Sequence, residues 1–202
     1  MKRIECLDKG FVELRDVMGN DQSIVDSARV SVSGDAVKAV SDDRTLIRYL
    51  LRHRHSTPME SVVFTFAVKA PILVLRQWMR SRTGSYNEMS ARYSIMPDEF
   101  YIPDLERMNV QAKNNHQGSD AEVIDQASYS QALIRKSSEV SYSNYQELVN
   151  AGLARELARS VLPVNIYSKM YFTMNLHNLM HFFSLRLDSH AQGEIRVYAQ
   201  AM

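Results

Sequence analysis

Val12 and Leu14 alternate with Glu13 and Arg15, the period of a strand that buries one face. Gly19, Asn20 and Asp21 interrupt that pattern, and a helix is predicted from there to about Arg29. Ser33 to Val40 reads as loop. Ser41 is placed to cap the next helix, with Asp42 and Asp43 in its first turn and Leu46, Ile47, Leu50 and Leu51 as its apolar stripe. The clearest strand follows, where Val62, Phe64, Phe66 and Val68 alternate with Ser61, Thr65 and Lys69. Pro71 suits the first turn of a helix carrying Ile72, Val74, Leu75 and Trp78. From Arg80 to Ser94 the chain is polar and irregular, which predicts a loop between structured elements. Asn109 to Asp120 is polar and poor in aromatics and reads as a mobile loop. A long helix is predicted over Asp125 to Asn150, with Gly152 as its cap. Ala154, Leu157, Ala158 and Val161 have helical spacing, and Pro163 stops that run. Val164, Ile166, Met170 and Phe172 suggest another strand. Leu176, Leu179, Met180, Phe183 and Leu187 form an apolar helix face, and Ser189 with Gln192 has the spacing of a capping box for a last helix. Few strand–helix–strand crossovers occur, so the pattern predicts an α+β layer structure. No repeat or linker divides it, so residues 1–202 read as one domain.

Composition narrows the function classes. A chain of 202 residues with 45% hydrophobic and 23% charged residues can bury a core without disulfide or metal staples. A formal charge of +1 gives no global attraction to nucleic acid or to an anionic membrane, so any anion site is a local cluster. The start, MKRIECLDKGF, lacks the apolar stretch of a signal peptide, and no segment nears the roughly 20 apolar residues that span a bilayer. Cys6, at the start of an N-terminal strand, is the sole cysteine, so no intrachain disulfide forms and a cytoplasmic location is expected. It has no neighbouring base to make it a nucleophile.

Three groups of residues could carry chemistry. Arg76, Arg80, Arg82 and Arg92 crowd one stretch with Gln77, Ser85, Asn87, Glu88 and Ser90. Guanidinium forks match phosphate, and the amides and hydroxyls match a polar ring. Composition alone also allows a solvated loop whose arginines pair with surface acids. His53-Arg54-His55-Ser56-Thr57-Pro58-Met59-Glu60 joins a helix to a strand, as a binding segment or as a helix end whose histidines face the terminal carbonyls. His177 and His181 share one helix face. Two histidines at that spacing can hold zinc, and a metal hydrolase with His190 is one reading. The glutamate of an HExxH motif is missing, however, so a polar face is favoured and no metal is expected. No glycine-rich phosphate loop and no nucleophile elbow is present.

Arg80 to Ser94 reads RSRTGSYNEMSARYS. It resembles the signature of the flavin-dependent thymidylate synthases, an RHR triplet followed by a spaced serine and a run like NExSxRYS. DKGFVELRDVMGND, HSTPMES, FTFAVKAPI, EFYIP, RELARSVLP and SLRLDSHAQ are similar to that family too, and the likeness weakens only over Asn109 to Ala121. The resemblance implies an α+β fold, a twisted, mostly antiparallel sheet flanked by helices. It implies a homotetramer with active sites at subunit interfaces. The implied activity is conversion of dUMP to dTMP, with FAD as cofactor and methylenetetrahydrofolate and NADPH as co-substrates. By position, Thr57, Arg80, Ser81, Arg82, Glu88, Asn175, His177 and His181 would lie at the flavin, with Ser31, His55 and Glu60 as further candidates. Gln77, Trp78, Met79, Arg80, Glu88, Met89, Ser90, Ala91, Arg92, Arg159 and Arg186 would surround dUMP, Met89 and Ala91 through backbone groups. Arg186 matches the arginine that favours ionisation at uracil N3, since a guanidinium beside the pyrimidine stabilises charge spreading over the ring. Ser90 matches a serine with no base beside it in the motif, so no nucleophilic role is assigned.

The sequence departs from the family pattern at three places. The RHR histidine is Ser81, His177 stands where arginine is frequent, and His181 where asparagine is frequent. Serine keeps a hydrogen-bonding group and loses an aromatic, titratable one. The alternative function is therefore a weakly active or inactive relative that binds flavin and nucleotide. The sequence ends soon after Tyr198, where the resemblance implies a further helical stretch.

Overall fold

The computed structural model describes residues 2–31, 43–113 and 117–202. Five strands make one antiparallel sheet in the order β1-β2-β3-β7-β4, so the α+β expectation holds. Its strands are β1 (Arg3–Cys6), β2 (Gly10–Met18), β3 (Val63–Pro71), β4 (Ser85–Glu88) and β7 (Tyr167–Asn175). The helices are α1 (Asp21–Arg29), α2 (Asp43–Arg52), α3 (Ile72–Trp78), α4 (Ala127–Asn150), α5 (Arg155–Ala158), α6 (Leu176–Arg186) and α7 (Gly193–Ala201).

The alternation in the sequence becomes a layered core. Val12 faces Val68, Leu14 faces Phe66, and Phe66 faces Phe172 across the ladder. These residues, with Ala70, Met170 and Met174, bury one sheet face against Val74, Leu75 and Trp78 of α3, Leu179 and Phe182 of α6, and Ile195 and Tyr198 of α7. A second cluster gathers Tyr142 and Tyr145 of α4 with Met96, Phe100, Ala158 and Ile166. A third packs Ile24 of α1, Leu50 of α2, Met59 and Val62 together against Leu176 and Met180. The helical stripes were right in part: Leu50, Val74, Leu75, Trp78 and Leu179 are buried, but Leu51, Leu157, Val161 and Leu187 are exposed, and Phe182, outside the stripe of α6, is buried.

Several boundaries and elements differ from the reading of the sequence. Asn109 to Asp120 is not simply loop: β5 (Asn109–Gln111) pairs with β6 (Ser119–Val123), because backbone pairing stabilises even strands that are mostly polar and little buried. The polar run from Arg80 to Ser94 contains β4, which completes the sheet by pairing Ser85–Glu88 with Met170–Thr173. Pro71 ends β3 and caps α3 rather than entering its first turn. The later strand starts at Tyr167, not Val164, and Cys6 closes β1 instead of opening a strand. Ser189 forms no capping box; Gln192 is the N-cap of α7 and makes no side-chain cap bond. The loop expected at Ser33 to Val40 and the cap expected at Ser41 lie outside the described residues. Gly152 acts as foreseen: with φ +87 it turns the chain after α4, its N–H meeting the carbonyl of Val149 at 3.1 Å and the Leu153 N–H that of Leu148 at 3.0 Å.

One buried carboxylate pins α7. Glu194, 4% exposed, accepts from Arg107 at 2.8 and 3.2 Å and from the Tyr101 hydroxyl at 3.0 Å. Burial pushes its carboxyl up, but hydrogen bonds from Arg107, its own N–H and Gln192, with the Arg107 charge, hold it below the ordinary value of 4.5. A carboxyl depressed in the folded state adds stability above its unfolded value and loses it as pH falls through the folded value. Chemical denaturation should therefore show wild-type stability falling below about pH 4.5. Glu194→Gln should remove part of that slope and cost about 1–3 kcal/mol at pH 7. Equal curves for both proteins at both pH values would refute the assignment.

Candidate active site

Helix α3 organises the site. One side of it, with Ile72, Leu75, Arg76 and Met79, forms the wall of a cavity of about 410 Å³. The end of β4 closes that cavity with Glu88, Met89, Ser90 and Ala91, and Arg159 and Leu162 approach from the turn after α5. The Met89 N–H donates to the Lys169 carbonyl at 2.8 Å, which continues the β4–β7 ladder by one residue and fixes the strand end. The polar loop of the sequence is thus held by a sheet and a helix rather than hanging in solvent. Arg76 and Arg159 are exposed at the rim, and the wall between them is largely apolar.

A second group lies at the C-terminal end of α3. Arg186 Nη2 donates to the Gln77 carbonyl at 2.7 Å, and Arg186 Nε is buried with no hydrogen-bond partner. Burial, and then the positive charge of Arg80, pulls this guanidinium below its ordinary value, against the opposing influence of Tyr86. Burial likewise pushes the Tyr86 phenol up to about 12, opposed by Arg186. That phenol donates to the Ser81 carbonyl at 2.6 Å and so ties the turn carrying Ser81 to β4. Gly84 in the same turn leaves no room for a side chain, since a Cβ there would meet Phe172 and the Tyr86 hydroxyl at 2.8 Å. Among the described residues no carboxylate pairs with Arg76, Arg80, Arg82, Arg159 or Arg186. The reading of a loop whose arginines pair with surface acids therefore fails for Arg76, Arg80 and Arg82. It holds for Arg92, whose Nε is 3.3 Å from Glu156.

A third group occupies the end of the molecule built by the third apolar cluster. The turn Thr57–Ser61 packs through Met59 against Leu176 and Met180 of α6, so exposed His55, Thr57 and Glu60 share that end with His177 and His181. Leu176 N–H donates to the Val62 carbonyl at 2.8 Å, which joins the two segments directly. Asn175 caps α6, its carboxamide oxygen accepting from the Asn178 N–H at 2.9 Å. Ser31 is exposed just beyond α1. Among the described residues, no three His, Cys, Asp or Glu side chains gather as a metal site.

The structure distributes the residues named from the sequence as follows. Glu88, Met89, Ser90, Ala91, Met79 and Arg159 share the cavity, and Arg76 joins them although only its place in the arginine-rich stretch pointed to it. Arg186, Gln77 and Arg80 form the second group, and none of the three lines that cavity. Arg82 is exposed in the turn between α3 and β4. The Trp78 indole is fully buried among Phe172, Phe182 and Tyr198, so its side chain belongs to the core. The Gln77 carboxamide is engaged with that of Gln192, a neighbour no sequence signal announced.

The family described as thymidylate synthase complementing protein matches residues 13–202. A flavin-dependent thymidylate synthase of Thermus thermophilus is 52% identical over 199 residues, which is 98% of this chain and 72% of that protein. The chain belongs to the flavin-dependent thymidylate synthase family. A relative of the same description from Treponema denticola is 48% identical over 203 residues, covering 100% of this chain and 76% of the other. The structure of a UMP/dUMP methylase, PolB, from Streptomyces cacaoi bound with 5-Br dUMP superposes with a TM-score of 0.84 at 40% identity, covering 98% of this chain and 89% of that one. The family signature thus coincides with the rim of the 410 Å³ cavity and with the turn between α3 and β4.

Proposed function

We propose that this chain, as one catalytic domain over residues 1–202, converts dUMP to dTMP, with methylenetetrahydrofolate as carbon donor and NADPH and FAD as the reducing system. The observation that carries this reading is the set of five guanidinium groups without carboxylate partners, on and around an apolar-walled cavity, in a chain of this family. Guanidinium groups left free of carboxylates in this way suit an anionic ligand.

The residues fit the groups named. Arg76 and Arg159 at the rim suit a nucleotide phosphate, with Ser90 and the backbone of Met89 and Ala91 beside them. Arg80, Arg82, Thr57, His55, Asn175, His177 and His181 offer donors for the phosphates and ring edge of FAD, with Glu60, Glu88, Ser31 and the Ser81 hydroxyl adding acceptors. The unpartnered Nε of Arg186 suits an acceptor on a ring. When bound, the flavin supplies hydride transfer, and the protein supplies orientation and electrostatics. Arg186 is held by the Gln77 carbonyl and stabilises negative charge on the pyrimidine in a partly dry setting. Gln77 and Trp78 act through the last turn of α3, and Arg92 through its pair with Glu156 of α5.

Arg186 does not line the cavity that holds Arg159 within one chain. That separation supports a homotetramer in which neighbouring subunits each supply part of a pocket. Among the described residues no helix is long and apolar enough to cross a membrane; a cytoplasmic enzyme without nucleic-acid partners is the accompanying proposal.

The purified protein should absorb as a flavoprotein and release tritium from dUMP labelled at C5 when supplied with methylenetetrahydrofolate and NADPH. A colourless protein that takes up no added FAD would overturn the reading. Ser81→His should restore the triplet and raise turnover without weakening flavin binding. The Ser81 carbonyl, which the Tyr86 phenol holds, is unaffected by the change. A clear loss of flavin affinity in that variant would show a pocket rebuilt around serine.

A further inference from the structure

Ser168 breaks an apolar row. Its neighbours two, four and six residues along β7 on the same face are Met170, Phe172 and Met174, and its partner on β3 is Ala70. It is 1% exposed, yet its Oγ has no hydrogen-bond partner. Buried hydroxyls are nearly always paired, so an orphan in a well-packed sheet asks for an explanation. The same residue lines the 410 Å³ cavity, while the exposed Arg76 and Arg159 stand at its rim. Ser168 thus borders the same volume as the rim cations, with its Oγ buried just beneath the cavity surface.

We infer that Ser168 Oγ is a binding contact for the nucleoside part of the pyrimidine nucleotide, completing its hydrogen bonding when the cavity fills. The inference rests on the reading that this cavity takes dUMP. A phosphate dianion stays at the rim, where guanidinium forks and water both reach it, because drawing it inward costs its solvation. With the phosphate there, the sugar lies along the wall of Leu75 and Ile166 on the side of Ser168, and the base stays open to the flavin and Arg186. Ser168 Oγ is neutral and both donates and accepts, which suits a sugar hydroxyl or a base carbonyl. No covalent step is involved.

The test compares wild type and Ser168→Ala as purified flavoproteins, titrated with dUMP, deoxyuridine and inorganic phosphate. Removing an unpaired buried hydroxyl should leave the ligand-free melting temperature at or above that of wild type. Kd should rise about tenfold for dUMP and by the same factor for deoxyuridine, the change that one lost hydrogen bond of about 1.4 kcal/mol corresponds to. Affinity for phosphate and flavin content should not move. Unchanged dUMP affinity in the variant, a parallel loss of phosphate affinity, or a clear fall in ligand-free melting temperature would each overturn the inference. A wild-type protein that binds flavin and no dUMP would instead count against the proposed substrate.

Discussion

Arg186→Ala should leave the protein folded and flavin-bound while dTMP formation falls about a hundred- to a thousandfold. The side chain is half-buried, so its interaction with charge on a ring is screened less than at the surface. Its Nη2 is anchored on the Gln77 carbonyl at 2.7 Å, which aims the remaining donors, and its Nε meets no protein acceptor. Burial and then Arg80 lower its proton affinity, but a guanidinium remains a cation at neutral pH. Alanine removes both the charge and the aimed donors. Arg186→Lys should recover only part of the rate, because an ammonium restores charge without the planar fork. Tritium release and flavin absorbance, measured on the same preparations, separate turnover from cofactor content. Wild-type turnover in the alanine variant would refute the role.

Phe172→Ala should be the most destabilising single change, by about 3–5 kcal/mol. Phe172 is fully buried at the centre of the sheet and packs its ring against Phe66, Trp78, Tyr86 and Phe182. Its ring also lies against Gly84, so the cavity left by alanine opens under the turn that carries Ser81. A fall in melting temperature on the order of 10 °C is expected for a chain of this size, together with weaker flavin retention. A shift of a degree or two would mean that the aromatic stack relaxes around the gap. Retained flavin with a large melting shift would show that the turn is held by Tyr86 alone.

The apolar faces were partly legible because period 2 is written into Val62–Val68 and period 3.6 into Leu176–Leu187; Val62, Phe66, Val68 and Leu179 are buried, while Leu187 is exposed. The strand β4 was not legible, since Ser85, Tyr86, Asn87 and Glu88 carry no alternation that a core demands. It is a strand because β7 presents an unpaired edge beside it. The capping pattern at Ser189 misled for a similar reason. Local spacing was right, but the Glu194 pair with Arg107 sets where α7 begins. The site was legible as composition, arginines among amides and hydroxyls, and as likeness to a family. Which of those arginines share a cavity was not.

The sequence by itself determined the fold class, part of the helical and strand faces, and the family, because each is carried by residue types at local spacings. Tertiary structure alone decided that Arg159 meets Glu88 and Ser90 at one cavity while Arg186 holds the end of α3, and that Ser168 borders that same volume. Those relations join residues dozens of positions apart. Long-range distances follow from how the sheet and helices pack, which no local periodicity encodes.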